Sequence, residues 1–189
     1  MRARSDDDEV TQWALAAGAG DRRALEAFVG ATHRDVWRFL AHLTRVELAD
    51  DLTQETYLRA LPSLQRFRAH SSARTWLLSI ARRVAVDHIR SAACRPSTTS
   101  ADWAATADTR QVRAHGTVAG FEDLVEVNLL LEGLEPGRRE AIVLTQVLGL
   151  SYAEVAAICG CPVGTVRSRV ARARDDLMQA DDARRTGSG

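Results

Sequence analysis

The break at Gly160-Cys161-Pro162, set between two segments of helical periodicity, constrains this chain more than any other feature. Upstream of it, Ser151 and Glu154 have capping-box spacing: the serine hydroxyl takes an amide of the first helical turn and the acid reaches back to the cap amide. Val155, Ala156 and Ile158 give that helix an apolar side. Pro162 has no amide hydrogen and a fixed φ, so it suits the entrance to a second helix beginning near Val163. At about 100° per residue, Val163, Val166, Val170, Ala173 and Leu177 share the side predicted to be buried. Ser168 lies opposite, Gly164, Thr165, Ala171 and Arg172 face outward, Arg167 and Arg169 take the flanks, and Arg174 lies nearer the core edge. A major-groove reader needs small residues where it approaches the bases, a bidentate donor for guanine, and flanking cations for phosphate. All three are present, but a solvated basic helix would show the same charges, so the rest of the chain decides.

The chain has 189 residues, enough for one medium domain or two small ones, and 25 basic residues balance 25 acidic ones. Overall charge therefore gives no reason to expect a polyanionic partner, but its distribution does. Residues 61–95 carry seven arginines against the single acid Asp87, whereas 121–160 carry two arginines against seven acids. Every cation is arginine, which suits bidentate phosphate and guanine contacts but is equally a product of GC-rich codon usage, the explanation given more weight. Cys94, Cys159 and Cys161 form neither a disulfide framework nor a CxxC pair. There is no apolar signal core and no run approaching a membrane span, so the expected location is cytoplasmic, with no membrane partner.

Residues 1–20 begin with a polar, acidic run and are predicted to form an N-terminal tail. From Asp21 the apolar residues Leu25, Phe28, Val29, Val36, Phe39, Leu40 and Leu43 predict two helices, or one bent at Gly30. Residues 49–61, ADDLTQETYLRAL, predict a helix with acids in its first turn and Leu52, Thr56 and Ala60 along one side. Taken alone, its acidic face is what any well-capped, solvated helix presents. Pro62-Ser63 interrupts, a short segment reaches Phe67, and residues 68–73, RAHSSA, read as a polar loop. Residues 74–90 predict a strong helix with Leu77, Ile80, Ala81 and Val84 on its apolar side and Arg82, Arg83 and Arg90 elsewhere. Trp76 reads as a core anchor first and a base-stacking platform second. Residues 92–120, without apolar period, mark a linker. Helix resumes at Phe121, breaks at Pro136-Gly137 and leads into the helix-turn-helix.

Three co-linear segments, DDLTQETYLRA, RFRAHSSARTWLLSIARRVAVDHIR and LEPGRREAIVLTQVLGLSYAEVAAICGCPVGTVRSRVARAR, resemble an extracytoplasmic-function (ECF) sigma factor of bacterial RNA polymerase, most of all the sigma-C type. The likeness runs from about Ala24 to Leu177. It implies an all-α fold of two small helical domains joined by a flexible linker. Sigma-2 would span residues 21–95 and sigma-4, with the helix-turn-helix, 121–180, with 96–120 between them and a tail over 181–189. Sigma-2 would bind the polymerase core and recognise and melt the minus-ten element, and sigma-4 would recognise the minus-thirty-five element.

The same resemblance makes Asp50, Asp51, Gln54 and Glu55 candidates for docking on the β′ clamp, which replaces the solvated-helix reading of that face. It makes Phe67, Ser71, Trp76, Arg82 and Arg83 candidates for minus-ten binding, where a base leaves the stack and enters a pocket beside the displaced strand. Thr165, Arg167, Ser168, Arg169 and Arg172 are the minus-thirty-five candidates, with Arg169 placed for phosphate. The implied partners are core polymerase, through the β′ clamp and β flap, promoter DNA and an anti-sigma factor, with a monomer when free. Catalysis belongs to the polymerase, so no cofactor, metal or catalytic residue is expected.

Two other classes compete. A stand-alone dimeric helix-turn-helix regulator accounts for the C-terminal half only and leaves the acidic and arginine-rich helices without a purpose. A helical hydrolase using His33, His42, His70, His88 or His115 has no HExxH, P-loop or GxSxG spacing behind it.

Overall fold

The computed structural model describes residues 4–94 and 127–186. Among them are eight α-helical segments and no strand: α1 (Arg4–Gly18), α2 (Arg22–Leu43), α3 (Ala49–Ala60), α4 (Ala73–Cys94), α5 (127–131), α6 (Pro136–Ile142), α7 (Tyr152–Cys159) and α8 (Val163–Thr186). The predicted linker starts later than residue 92, because α4 runs on to Cys94; residues 95–126 lie outside the described residues.

The first 20 residues are largely a helix rather than the predicted tail. The acidic start hides the apolar pair Val10 and Ala14, four apart, which α1 buries in the core. Asp21 then caps α2, its carboxylate accepting from the amides of Arg23 and Ala24 at 2.8 and 3.1 Å. Gly30 does not interrupt: α2 runs continuously through it. At the end of α1, a Cβ on Gly18 would stand 2.5 Å from the Leu64 carbonyl oxygen, so only glycine lets α1 lie this close to the 3-10 turn Leu61–Arg66. Gly18→Ala is expected to destabilise the free chain by about 2 kcal/mol through backbone displacement, measured by urea unfolding. An unchanged midpoint would show that the turn yields without cost.

The first four helices enclose Phe28, Val36, Phe39, Leu40, Leu77, Leu78 and Val84, all nearly inaccessible. Tyr57 lies within, its hydroxyl 2.8 Å from Thr32 Oγ1, and burial pushes its pKa up to about 12. The C-terminal helices build around Val143, Leu144, Val155 and Val166. Pro136 does not break a helix but starts α6, with Glu135 as its cap accepting from the Gly137 and Arg138 amides. The chain leaves α6 through a π-turn, Val143–Val147. The capping box on α7 is complete, and Gly160, at φ 63°, closes that helix in the left-handed conformation that glycine adopts without a Cβ clash. The last helix continues to Thr186, into the predicted C-terminal tail.

The two groups of helices pack against each other. Arg74 on α4 donates from Nε to Asp35 Oδ2 at 2.6 Å and from Nη2 to the Leu148 carbonyl at 2.7 Å, just past the π-turn. Arg82, two turns further along α4, pairs with the buried carboxylate of Glu140 on α6. At the end of α2, Asn128 Oδ1 lies 2.7 Å from His42 Nδ1 while Asn128 Nδ2 donates to the Ala41 carbonyl, and Arg139 Nε donates to the His42 carbonyl at 2.6 Å. Two guanidiniums, those of Arg74 and Arg139, thus each satisfy a backbone carbonyl of the opposite group.

Burial lowers the pKa of His42 below its ordinary 6.5; the Asn128 bond opposes the shift, and nearby Arg38 and Arg139 reinforce it. A depressed value means that the packed form holds the neutral imidazole. Its contribution is complete above about pH 6.5 and is lost as pH falls through the lower, packed-state value. Unfolding midpoints are therefore expected to hold between about pH 8 and 7 and to drop below about 6.5, with a flatter slope in His42→Gln. An identical slope in the variant would assign the effect to other groups.

Candidate nucleic-acid interface

The helix-turn-helix places α8 with Val166, Val170 and Ala173 buried and Arg167, Ser168 and Arg172 exposed on the other side. Thr165 is half-buried, and its carbonyl accepts from Ser168 Oγ at 3.0 Å, leaving the serine oxygen able to accept from outside. Val163 departs from the predicted buried side. It is 41% exposed because it lies in the first turn, ahead of the point where α8 meets its packing partners, and burial begins at Val166. Leu177, at the other end, is half-buried.

Arg169 is half-buried along the flank, and its guanidinium lies over Gly137, where an added Cβ would come within 3.1 Å of its Cζ. The α6 entrance and the flank of α8 are therefore fitted to each other. Arg138 strengthens that fit by pairing with Asp176 at 2.7 Å. Arg174, predicted near the core edge, is exposed and reaches Gln146 Oε1 at 3.2 Å.

The second basic surface is divided by α4. On one side, Arg59, Ser63, Trp76, Ser79, Ile80 and Arg83 line a groove between α3 and α4. Arg83 is exposed there, and Trp76 is half-buried with its ring tilted 42° on Phe67 at a centroid distance of 5.1 Å. Phe67 itself is buried, so it supports Trp76 from beneath. Ser71 stands exposed in the 68–72 loop that leads into α4. Arg82 points away from this groove toward Glu140, so the structure brings Trp76 and Arg83 to one groove, leaves Ser71 in the loop before α4, and separates Arg82 from them.

Arg82 and Glu140 also adjoin Cys159. Burial and the Glu140 carboxylate push that thiol up to about 12, so it stays protonated and unreactive at neutral pH. Among the described residues, no group of three His, Cys, Asp or Glu is placed to hold a metal ion, and no helix is long and apolar enough to cross a membrane.

A third surface lies on α3, whose buried side carries Leu52, Thr53, Thr56 and Ala60. Asp51 and Gln54 are exposed; Asp50 accepts from Trp37 Nε1 at 2.8 Å, and Glu55 pairs with Arg59, which also reaches Asp87. Leu58 is 61% exposed, one turn beyond Gln54 on this acidic face. Sequence reasoning gave Leu58 no role. The helical wheel that buries Leu52 and Thr56 already places Leu58 with Gln54 and Asp51.

Sequence families divide the chain as the helices do. The family pattern for Sigma-70 region 2 matches residues 28–94, and that for Sigma-70 region 4 matches 124–177. The chain belongs to the ECF family of RNA polymerase sigma factors, proteins that bind the polymerase core and promoter DNA.

Within that family it is 57% identical to the probable RNA polymerase sigma-C factor of Mycobacterium bovis, over 92% of both chains. It is 32% identical to the ECF RNA polymerase sigma-E factor of Salmonella typhimurium, over 84% of this chain and 86% of that one. Among solved structures it is similar to CnrH in complex with the cytosolic domain of CnrY, with a TM-score of 0.72, 27% identity and coverage of 93% and 98%. It is also similar to the sigma factor RpoE bound to the anti-sigma factor NepR from Bartonella quintana, with a TM-score of 0.66, 29% identity and coverage of 82% and 94%.

Proposed function

We propose that the three surfaces divide the work of promoter-specific initiation. The single observation that carries this reading is the sidedness of α8: Arg167, Ser168 and Arg172 stand outward, backed by a sealed core of Val166, Val170 and Ala173. In the major groove of the minus-thirty-five element, Arg167 and Arg172 read base edges with Ser168 between them, while Thr165 and Arg169 hold the backbone. The 68–72 loop and the Trp76–Arg83 groove take an unstacked base and its phosphates from the minus-ten strand, with Ser71 at the loop surface and Phe67 as the floor under Trp76. Arg82 joins them only after its pair with Glu140 parts.

On α3, Asp50, Asp51, Gln54 and Glu55, with Leu58 one turn further on, form the face that docks on the β′ clamp. Sigma-4 engages the β flap. The domain limits are 21–95 and 121–180, with α1 added to the first and a crossing segment between them. The protein has no enzymatic activity of its own and works in the cytoplasm as a monomer until it meets core. An anti-sigma factor that engages both domains is the regulator we assign to it; the structurally similar RpoE is in complex with the anti-sigma factor NepR.

The α3 assignment is tested by Leu58→Asp, which places a charge at the exposed apolar position of the docking face without disturbing the buried side. Core affinity is expected to fall about tenfold, as for an exposed apolar anchor, with duplex binding through α8 unchanged. Undiminished core affinity would remove α3 from the interface.

A further inference from the structure

The geometry points to Thr11 of α1 as a positioning residue for minus-ten capture. This rests on the proposed role of the 68–72 loop. That loop is tied down at both ends. At its entrance Phe67 is buried, and Arg68 Nη1 folds back onto the carbonyls of Gln65 and Phe67 at 2.9 and 3.2 Å. At its exit Ser72 Oγ accepts from the Thr75 amide at 3.1 Å, a helix cap for α4. The remaining tie comes from α1: Thr11 Oγ1 accepts from the Ala73 amide at 3.0 Å and donates to the Asp7 carbonyl at 2.7 Å.

Ala73 is fully buried, so no solvent replaces Thr11 at its amide. Between the two anchored ends, Ala69 is held at φ 54°, a left-handed conformation that a non-glycine residue keeps only where its surroundings impose it. The exposed His70 and Ser71 follow immediately and are presented from a backbone with little freedom to adjust. The close approach at Gly18 and the burial of Val10 and Ala14 fix α1 itself, so Thr11 is a rigid reference point. An extruded base meets a loop already in shape, and the ordering cost is not charged against capture.

The test uses holoenzyme assembled from full-length sigma and core polymerase, with a randomised single-stranded DNA pool as the probe. Thr11→Val keeps the shape of the side chain and removes the acceptor. It is expected to weaken retention of the selected strands about three- to tenfold, the worth of one intramolecular hydrogen bond, at unchanged core affinity. Thr11→Ser, which keeps the hydroxyl, is expected to restore retention. Ser71→Asp serves as the control on the underlying reading, because it puts a negative charge into the loop and is expected to abolish selection. If Ser71→Asp weakens retention and Thr11→Val does not, the positioning role is overturned and the loop assignment stands. If Ser71→Asp has no effect, the loop assignment fails and this inference falls with it. A Thr11→Val variant that loses core affinity in step with DNA would mark Thr11 as a general fold residue and also overturn the inference.

Discussion

Arg74→Ala is expected to lower the unfolding free energy of the free chain by about 3–5 kcal/mol, the cost of removing one member of a buried ion pair. Arg74 and Asp35 are each 6% exposed at the side chain, so solvent neither screens the pair nor replaces the lost guanidinium. Arg74 also donates to the Leu148 carbonyl, so truncation takes a donor from each group of helices at once. The second consequence is geometric: the Arg82–Glu140 pair and the Asn128–His42 contact remain to hold the groups together. With the Arg74–Leu148 tie gone and only part of the cross-group contacts left, the free chain should expand in solution scattering before it unfolds in urea. Arg74→Lys should recover only part of the loss, because a single ammonium lacks the fork that serves both acceptors. A midpoint within error of the parent would mean that Arg74 is not a structural link.

The second large effect concerns the address on DNA. Arg167→Ala and Arg172→Ala are each expected to cost about 1–3 kcal/mol of binding at the minus-thirty-five element if the guanidinium reads a guanine bidentately. The loss should be confined to sites bearing the preferred base. Arg169→Ala should instead weaken all sequences alike and reduce the salt dependence by about one counterion. The two patterns are distinguishable in one titration series of duplexes with single base changes. Uniform losses from Arg167 or Arg172 would move those residues to the phosphate class, and no loss would remove them from the interface.

Local patterns in the sequence carried over to the structure where a helix has one dominant packing partner. The Ser151–Glu154 box, the stop at Gly160, the entrance at Pro162 and the buried Leu52–Thr56–Ala60 stripe all depend on neighbours within a turn or two. Val163 shows the limit of that reasoning, because periodicity gives the side a residue faces and not how far along the helix the partner extends. In α1, three consecutive aspartates masked the packing residues Val10 and Ala14.

The basic block at 61–95 and the acidic block at 121–160 were visible as opposites, and Arg82 with Glu140 joins them. Which arginine meets which acid depends on how two helix groups dock, and no spacing along the chain encodes that. The same holds for Asn128, which serves the end of α2 from the far side of the linker. The Trp76–Arg83 groove was half legible. Both residues were singled out, but the turn of α4 that directs Arg82 to the opposite surface follows only from the packed arrangement.

Reconstituted initiation tests the central claim most directly. The full-length chain is added to sigma-free core polymerase with a randomised promoter library, and transcripts are mapped to their start sites. The account predicts stable co-elution with core and initiation from a subset of templates sharing an upstream and a minus-ten element, with Arg172→Ala changing the upstream preference and Ser71→Asp reducing opening. A chain that binds duplex DNA, fails to co-elute with core and directs no initiation would contradict it.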